Sequence, residues 1–154
     1  MEKHKDNANV HKELDLIQTI INRMAANSFE VKKWLMAILT AIIVFKYEKL
    51  LGSNSYHVWL LLVPILSFWF LNGFFLSSEK KYREMYKWVV KYRSQTDKYL
   101  YDLNSMSRAC PDGSIDELDL KENRIWSVLF SSTLLPFYII PVLFIIFYAI
   151  LKCF

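Results

Sequence analysis

From Leu14 to Phe45 the chain repeats one pattern: Leu14, Ile17, Ile21, Met24, Ser28, Val31, Leu35, Ile38, Ile42 and Phe45 follow alternating steps of three and four, all apolar but Ser28. That is the a/d period of a helical seam. Neither Gly nor Pro interrupts it, so the pattern predicts one continuous helix from about Asn9 to Leu50, roughly 60 Å long at 1.5 Å per residue. Leu16, Ile20 and Ala25 widen the stripe beyond what a two-stranded coil needs, which suits a bundle or a higher oligomer. The seam has two possible partners: the chain's own 77–124 segment, or other copies of the chain. The second is favoured, because the seam stays in phase where the chain turns apolar on all sides. Asn27 and Ser28 sit beside it, placed either to set register or to bond the helix backbone.

Beyond this helix the period gives way to uncharged apolar runs. Val58 to Leu76 and Ile125 to Leu151 contain no Asp, Glu, Lys or Arg, and each is long enough to cross a hydrocarbon core of roughly 30 Å. Trp34 to Phe45 is shorter, but Lys46 and Lys49 can snorkel, which extends it to about Ser53. The alternative is that this first segment lies at the interface. The expectation is an all-α membrane protein: a cytoplasmic amphipathic helix over 1–33, transmembrane helices over 34–53, 58–76 and 125–151, and a cytoplasmic helical segment over 77–124 between the second and third. Trp34, Tyr47, Tyr56, Trp59, Trp126 and Tyr148 fall near the span ends as interfacial anchors. Pro64, Pro136 and Pro141 lie within the spans, the last two beside Ser131-Ser132-Thr133, whose hydroxyls can satisfy carbonyls that a proline frees.

Charge orients these spans. Residues 1–33 carry six Lys or Arg and residues 77–124 carry ten, against two in 46–57 and Lys152 alone in the tail. The positive-inside rule then places the N-terminus and the 77–124 segment in the cytoplasm and the C-terminus outside. Cys110 and Cys153 fall on opposite sides and cannot pair. The N-terminal residues lack the apolar stretch of a cleaved signal, so the first span is expected to direct its own insertion. With 154 residues, fewer than about 100 remain outside the spans, at the lower limit for one core and too few for a large catalytic domain. There is no Gly-rich phosphate loop, CxxC pair or HExxH, and His4, His11 and His57 are scattered. No enzyme, cofactor or metal is expected.

The 77–124 segment carries the candidate chemistry. Ser77-Ser78-Glu79 reads as a helix start, and the helical pattern runs to about Ser107. Lys80, Lys87, Lys91 and Lys98 recur at steps of seven, four and seven on one face, with Tyr82, Tyr86, Trp88, Tyr92 and Tyr99 interleaved. Positive charge beside π-faces suits a single-stranded nucleic acid. The same cations also serve as the positive-inside signal and attract anionic lipid, while Tyr82, Tyr86 and Val89 fit a packed face. Cys110 to Ser114 reads as a turn and Ser114 as the cap of a short acidic helix. Its Asp116, Glu117, Asp119 and Glu122 are expected to be solvated or paired with the basic helix.

His11, Ile17-Gln18, Ile20-Ile21, Arg23-Met24-Ala25, Asn27-Ser28-Phe29 and Lys32-x-Trp34 resemble the first helix of short bacterial multi-span proteins encoded beside anti-phage defence genes, such as the membrane effectors of Hailong-type defence. The resemblance covers residues 11–34 and beyond Trp34 extends only to the general layout. It implies a homotetrameric ion channel held shut by single-stranded DNA oligomers from a partner nucleotidyltransferase, opening when infection removes them so that the depolarised cell stops supporting phage. It also implies that Arg23 and Asn27 are motif residues at the cytoplasmic mouth. On that picture Lys80, Arg83, Lys87, Lys91 and Lys98 would hold the oligonucleotide and Tyr86, Trp88 and Tyr92 would stack on its bases, with Leu35, Ile38, Ile42 and Phe45 as an apolar gate. Two other readings fit the residues: a non-conducting membrane adaptor or scaffold whose basic face binds lipid or protein, and a pore-forming toxin restrained by a protein partner.

Overall fold

The computed structural model describes residues 2–51, 59, 61–94, 96, 99–104 and 125–153. Four helices make up the described chain: α1 (Glu2–Leu51), α2 (Leu62–Tyr92), α3 (Ile125–Leu129) and α4 (Leu135–Cys153). The single long first helix matches the expectation. No Gly or Pro falls within α1, and the first glycine, Gly52, comes directly after it in sequence. Lys98, Tyr56, the turn at Cys110–Ser114 with the acidic helix after it, and the side chains of Phe45, Tyr47 and Tyr148 lie outside the described residues. The chain forms two compact units, Met1–Ala26 with Phe75–Arg124 and Asn27–Phe74 with Ile125–Phe154.

In the first unit the α1 seam is buried against its own chain. Ile17 and Ile21 form one cluster with Met85, Trp88 and Val89 of α2, and Leu14, Tyr82, Tyr86, Tyr92, Tyr99 and Leu103 pack around it. Burying each of these large side chains contributes about 1.5–3 kcal/mol. Glu13, 0% exposed, extends the stripe one turn before Ile17 and is paired with Arg93. The two helix segments run antiparallel, with Glu13 against Arg93 at one end and Ala25 and Lys80 lining a common groove at the other.

Two expectations for α2 are corrected here. No helix starts at Ser77-Ser78-Glu79, because α2 continues through them from the apolar run. Ser77 and Glu79 are buried mid-helix, and Glu79 is the i−4 partner of Arg83 at 2.7 Å rather than a first-turn acid. Nor does the helix reach Ser107. It ends at Tyr92, where the Arg93 guanidinium turns back to donate to the carbonyl oxygens of Thr96 (3.1 Å) and Tyr99 (3.4 Å). Tyr99 and Tyr101 then take left-handed φ of 64° and 58°, which a continuing helix cannot accommodate. Tyr101 donates to Asn9 Oδ1 at 3.2 Å, returning the chain to α1.

In the second unit Ser28 of α1, Asn72 of α2 and Tyr138 of α4 form a buried polar chain. Ser28 Oγ donates to Asn72 Oδ1 (2.5 Å), Asn72 Nδ2 to Tyr138 Oη (3.1 Å), and Tyr138 Oη to the Phe68 carbonyl (3.3 Å). Trp69 stacks on Tyr138 at 6.2 Å between centroids. The expected single helix over 125–151 is two, broken at 130–134, where Ser131 O accepts from both Leu134 N (3.1 Å) and Leu135 N (2.9 Å). Trp69 Nε1 donates to the Leu129 carbonyl at 3.1 Å, occupying a group that the break leaves without a regular helical partner. Pro64 and Pro136 fall in the first turns of α2 and α4, where a missing N–H costs nothing, whereas Pro141 sits inside α4.

This unit wears its apolar side chains outward. Phe144 is 71% exposed and Trp126 67%. Apart from Leu16, Val90, Leu100 and Tyr101, every exposed large hydrophobic among the described residues belongs to it. Among the described residues α2 is the one helix long and apolar enough to cross a membrane.

Candidate anion-binding groove

A groove of about 540 Å³ opens in the first unit between α1 and α2. Gln18, Ile21, Asn22 and Ala25 line one wall, and Lys80, Arg83, Glu84 and Lys87, with Tyr86, line the other. Each wall is an i, i+3, i+4, i+7 set, the spacing that stacks side chains on one helix face. The seam residue Ile21 forms part of the floor, so packing the hydrophobic face fixes which polar neighbours border the opening.

Three cations face one carboxylate across this lining. Arg83 is tied to Glu79 (2.7 Å) and Lys87 to Glu84 (2.7 Å), with the cationic side chains 59% and 71% exposed. The Lys87–Glu84 pair is largely exposed and contributes about 0–1 kcal/mol, so a phosphate, which forms shorter charge-assisted bonds, competes for Lys87 at little cost, whereas Arg83 also serves the carboxylate of Glu79, whose side chain is 10% exposed. Lys80 is half-buried and has no ion-pair partner among the described residues. Opposite, Gln18 Nε2 donates to Asn22 Oδ1 at 3.0 Å, leaving both amides with further donor and acceptor capacity for a ligand. The volume lies within the range of small-ligand clefts, on the order of 300–1,000 Å³. Among the described residues no group of His, Cys, Asp and Glu side chains is placed to hold a metal ion.

The groove thus brings together Lys80, Arg83, Tyr86 and Lys87 of the residues expected from sequence, while Trp88, Lys91 and Tyr92 are not among its lining. Trp88 is 6% exposed, enclosed by Tyr92 (5.8 Å) and Tyr99 (6.4 Å) with the Arg93 guanidinium over its ring at 5.6 Å, so its faces are occupied by the core. Tyr92 packs against the same cluster. Lys91 is exposed and lies 4.7 Å over the Tyr92 ring, outside the groove lining. Of the residues expected as an apolar gate, Leu35 is 0% exposed and enclosed by its own chain, and Ile38 and Ile42 are half-buried. Arg23 and Asn27 are exposed and line no part of the groove.

Sequence reasoning did not assign Gln18 or Asn22 to a ligand wall, although both flank the seam at helical spacing and are polar beside apolar Ile21. It also missed Glu13 and Arg93. Comparison with known proteins adds no relative: no family model, curated protein or solved structure matches the chain.

Proposed function

We propose that this chain is a non-enzymatic membrane effector of bacterial anti-phage defence, an ion channel held closed by an anionic oligonucleotide lodged between α1 and α2. The observation that carries the reading is the groove, where Lys80, Arg83 and Lys87 converge beside Tyr86 with two amide side chains opposite. On this reading the three cations follow the phosphates, Tyr86 offers a stacking face, and Gln18 and Asn22 meet base edges or sugar. The second unit is the membrane part, with the later half of α1, the early half of α2 and α4 as spans, the N-terminus cytoplasmic and the C-terminus periplasmic. Its outward apolar side chains support that placement, since lipid tails solvate them and water does not. The assembly is a homotetramer, and a partner nucleotidyltransferase supplies the oligonucleotide.

The test is ion flux from liposomes containing the purified protein, with short single-stranded DNA on the face that carries the groove. DNA-suppressed flux that becomes DNA-insensitive in the Lys80→Ala/Arg83→Ala/Lys87→Ala variant supports the reading, whereas flux indifferent to DNA in the native protein sinks the ligand. The burial of Leu35 and of the seam at Ile17 and Ile21 within one chain favours a second reading, a non-conducting scaffold with the same anion site. No flux together with intact DNA binding would select it.

A further inference from the structure

Glu13 and Arg93 stand apart from the other ion pairs described. Arg93 Nε donates to Glu13 Oε2 at 2.8 Å and Nη2 to Glu13 Oε1 at 2.5 Å, a fork on a fork, with the two side chains 3% and 0% exposed. Each groove pair keeps its cation more than half exposed, while this one has left water entirely. Removing two charges from water costs several kcal/mol per ion before their attraction offsets it, so such a pair is poorly suited to supplying net stability. A well-packed apolar pair would serve stability as well. What the fork does supply is direction: a guanidinium and a carboxylate meet in one geometry, whereas aliphatic side chains slide.

Sliding is the hazard of this interface. The facing positions 13, 17 and 21 on α1 and 85 and 89 on α2, with 93 directly after its end, recur at steps of four, and between the charged pair and the groove they are Ile17 and Ile21 against Met85 and Val89. Apolar ridges of that kind fit again after a shift of one turn, about 5.4 Å along the axis. Such a shift would leave the core apolar but would move Gln18 and Asn22 one turn relative to Lys80, Arg83 and Lys87. The groove would lose its pairing of cations with amides. Arg93 also holds the carbonyls of Thr96 and Tyr99 and lies over Trp88, so its position is set from four directions at once.

We propose that Glu13 and Arg93 are a register lock: positioning residues that fix α1 against α2 so that the anion groove is assembled, while contributing little net stability. The binding consequence rests on the groove reading above; the register consequence does not. Single variants leave a buried charge unpaired and unfold the unit for that reason alone, so the test removes both charges in E13M/R93L. Spin labels on L16C and V90C, two exposed positions of the same unit outside the groove, report the α1–α2 register by distance, in a background with Cys110 and Cys153 changed to Ser. Binding is read with oligothymidylate over a range of salt concentrations.

The lock predicts three results for E13M/R93L: a cooperative melting transition lowered by no more than the lost Arg93 bonds to the Thr96 and Tyr99 carbonyls account for, a label distance that broadens or splits, and oligothymidylate affinity at least about tenfold weaker, the scale of one missing charge-assisted bond. It also predicts a shallower dependence of log affinity on log salt, by about 0.7 for each single-strand phosphate that the groove no longer neutralises. A structural role alone would leave that slope unchanged. A label distance as narrow and centred as the native one overturns the lock, as does loss of the cooperative melt, which would make the pair a stabilising element. If native protein fails to bind oligothymidylate while the distance splits in the variant, the groove reading falls and the register lock stands.

Discussion

At the scale of single residues, burial decides which aromatic side chain does what. Trp88 and Tyr86 are two positions apart on α2, yet the indole lies in the core and the phenol borders the groove. Trp88→Ala should therefore cost about 3–5 kcal/mol of stability, the range for emptying a large aromatic site, measured by thermal unfolding of the detergent-solubilised protein. Tyr86→Ala should leave the melt nearer the native one and weaken oligonucleotide binding by about 1–3 kcal/mol if one base stacks there. Equal losses of stability would contradict the assignment. Gly73 offers a second residue-level test. A Cβ at that position would come within 2.9 Å of Leu129 Cγ and closer still to its Cδ2. Gly73→Ala gains about 1 kcal/mol of helix propensity but overpacks at about 1–3 kcal/mol. We expect net destabilisation, and G73A/L129A should cost less than the sum of its single changes. Strict additivity would show that the Gly73 backbone and the Leu129 side chain do not approach so closely.

At the scale of elements, the helices were legible where the signal was local and illegible where it came from elsewhere in the chain. The α1 seam predicted the buried positions Ile17, Ile21, Val31 and Leu35, because a repeat of three and four defines one face whatever lies against it. Glu13 occupies the same face, but no period predicts that a carboxylate is buried; its partner is 80 residues away. The end of α2 is a case of the same kind. Lys91 to Ser107 contains no Gly or Pro, so nothing local stops the helix, and the arginine that gathers the Thr96 and Tyr99 carbonyls is itself held by Glu13. The Ser28–Asn72–Tyr138 chain ties three helices, and Asn72→Ala should cost more than Ser28→Ala. The first leaves Tyr138 Oη and Ser28 Oγ each short of a partner, at about 1–3 kcal/mol per buried orphan. Unfolding of both variants in the same detergent checks the order, and a reversal would place the weight of the network on α1.

At the scale of the whole molecule, the two units divide the surface by polarity. The exposed apolar side chains concentrate in Asn27–Phe74 with Ile125–Phe154, and the groove lies in Met1–Ala26 with Phe75–Arg124. The first distribution predicts that the protein stays in the membrane fraction through alkaline carbonate extraction, and that Phe144→Lys, at a side chain 71% exposed, impairs insertion. A charged side chain at mid-membrane costs about 2.5–3.5 kcal/mol on insertion scales. Release by carbonate, or unchanged membrane recovery of the lysine variant, would count against lipid as the solvent of this face. The groove predicts a separable defect: the triple variant at Lys80, Arg83 and Lys87 should insert normally and bind oligonucleotide with a flatter salt dependence.

Sequence by itself determined the all-helical class, the continuity of α1 and the face that α1 buries, since each follows from propensity and period within a few turns. It also determined where uncharged apolar residues concentrate. Tertiary structure decided the rest: that Trp88 is core and Tyr86 is rim, that Ser77 lies mid-helix, that α2 stops at Tyr92, and that Gln18 and Asn22 face the lysines. The physical reason is common to all four. Each depends on which side chain arrives from a distant part of the chain to be packed, charged or hydrogen-bonded against, and a one-dimensional period carries the face of a helix but not the identity of what meets it.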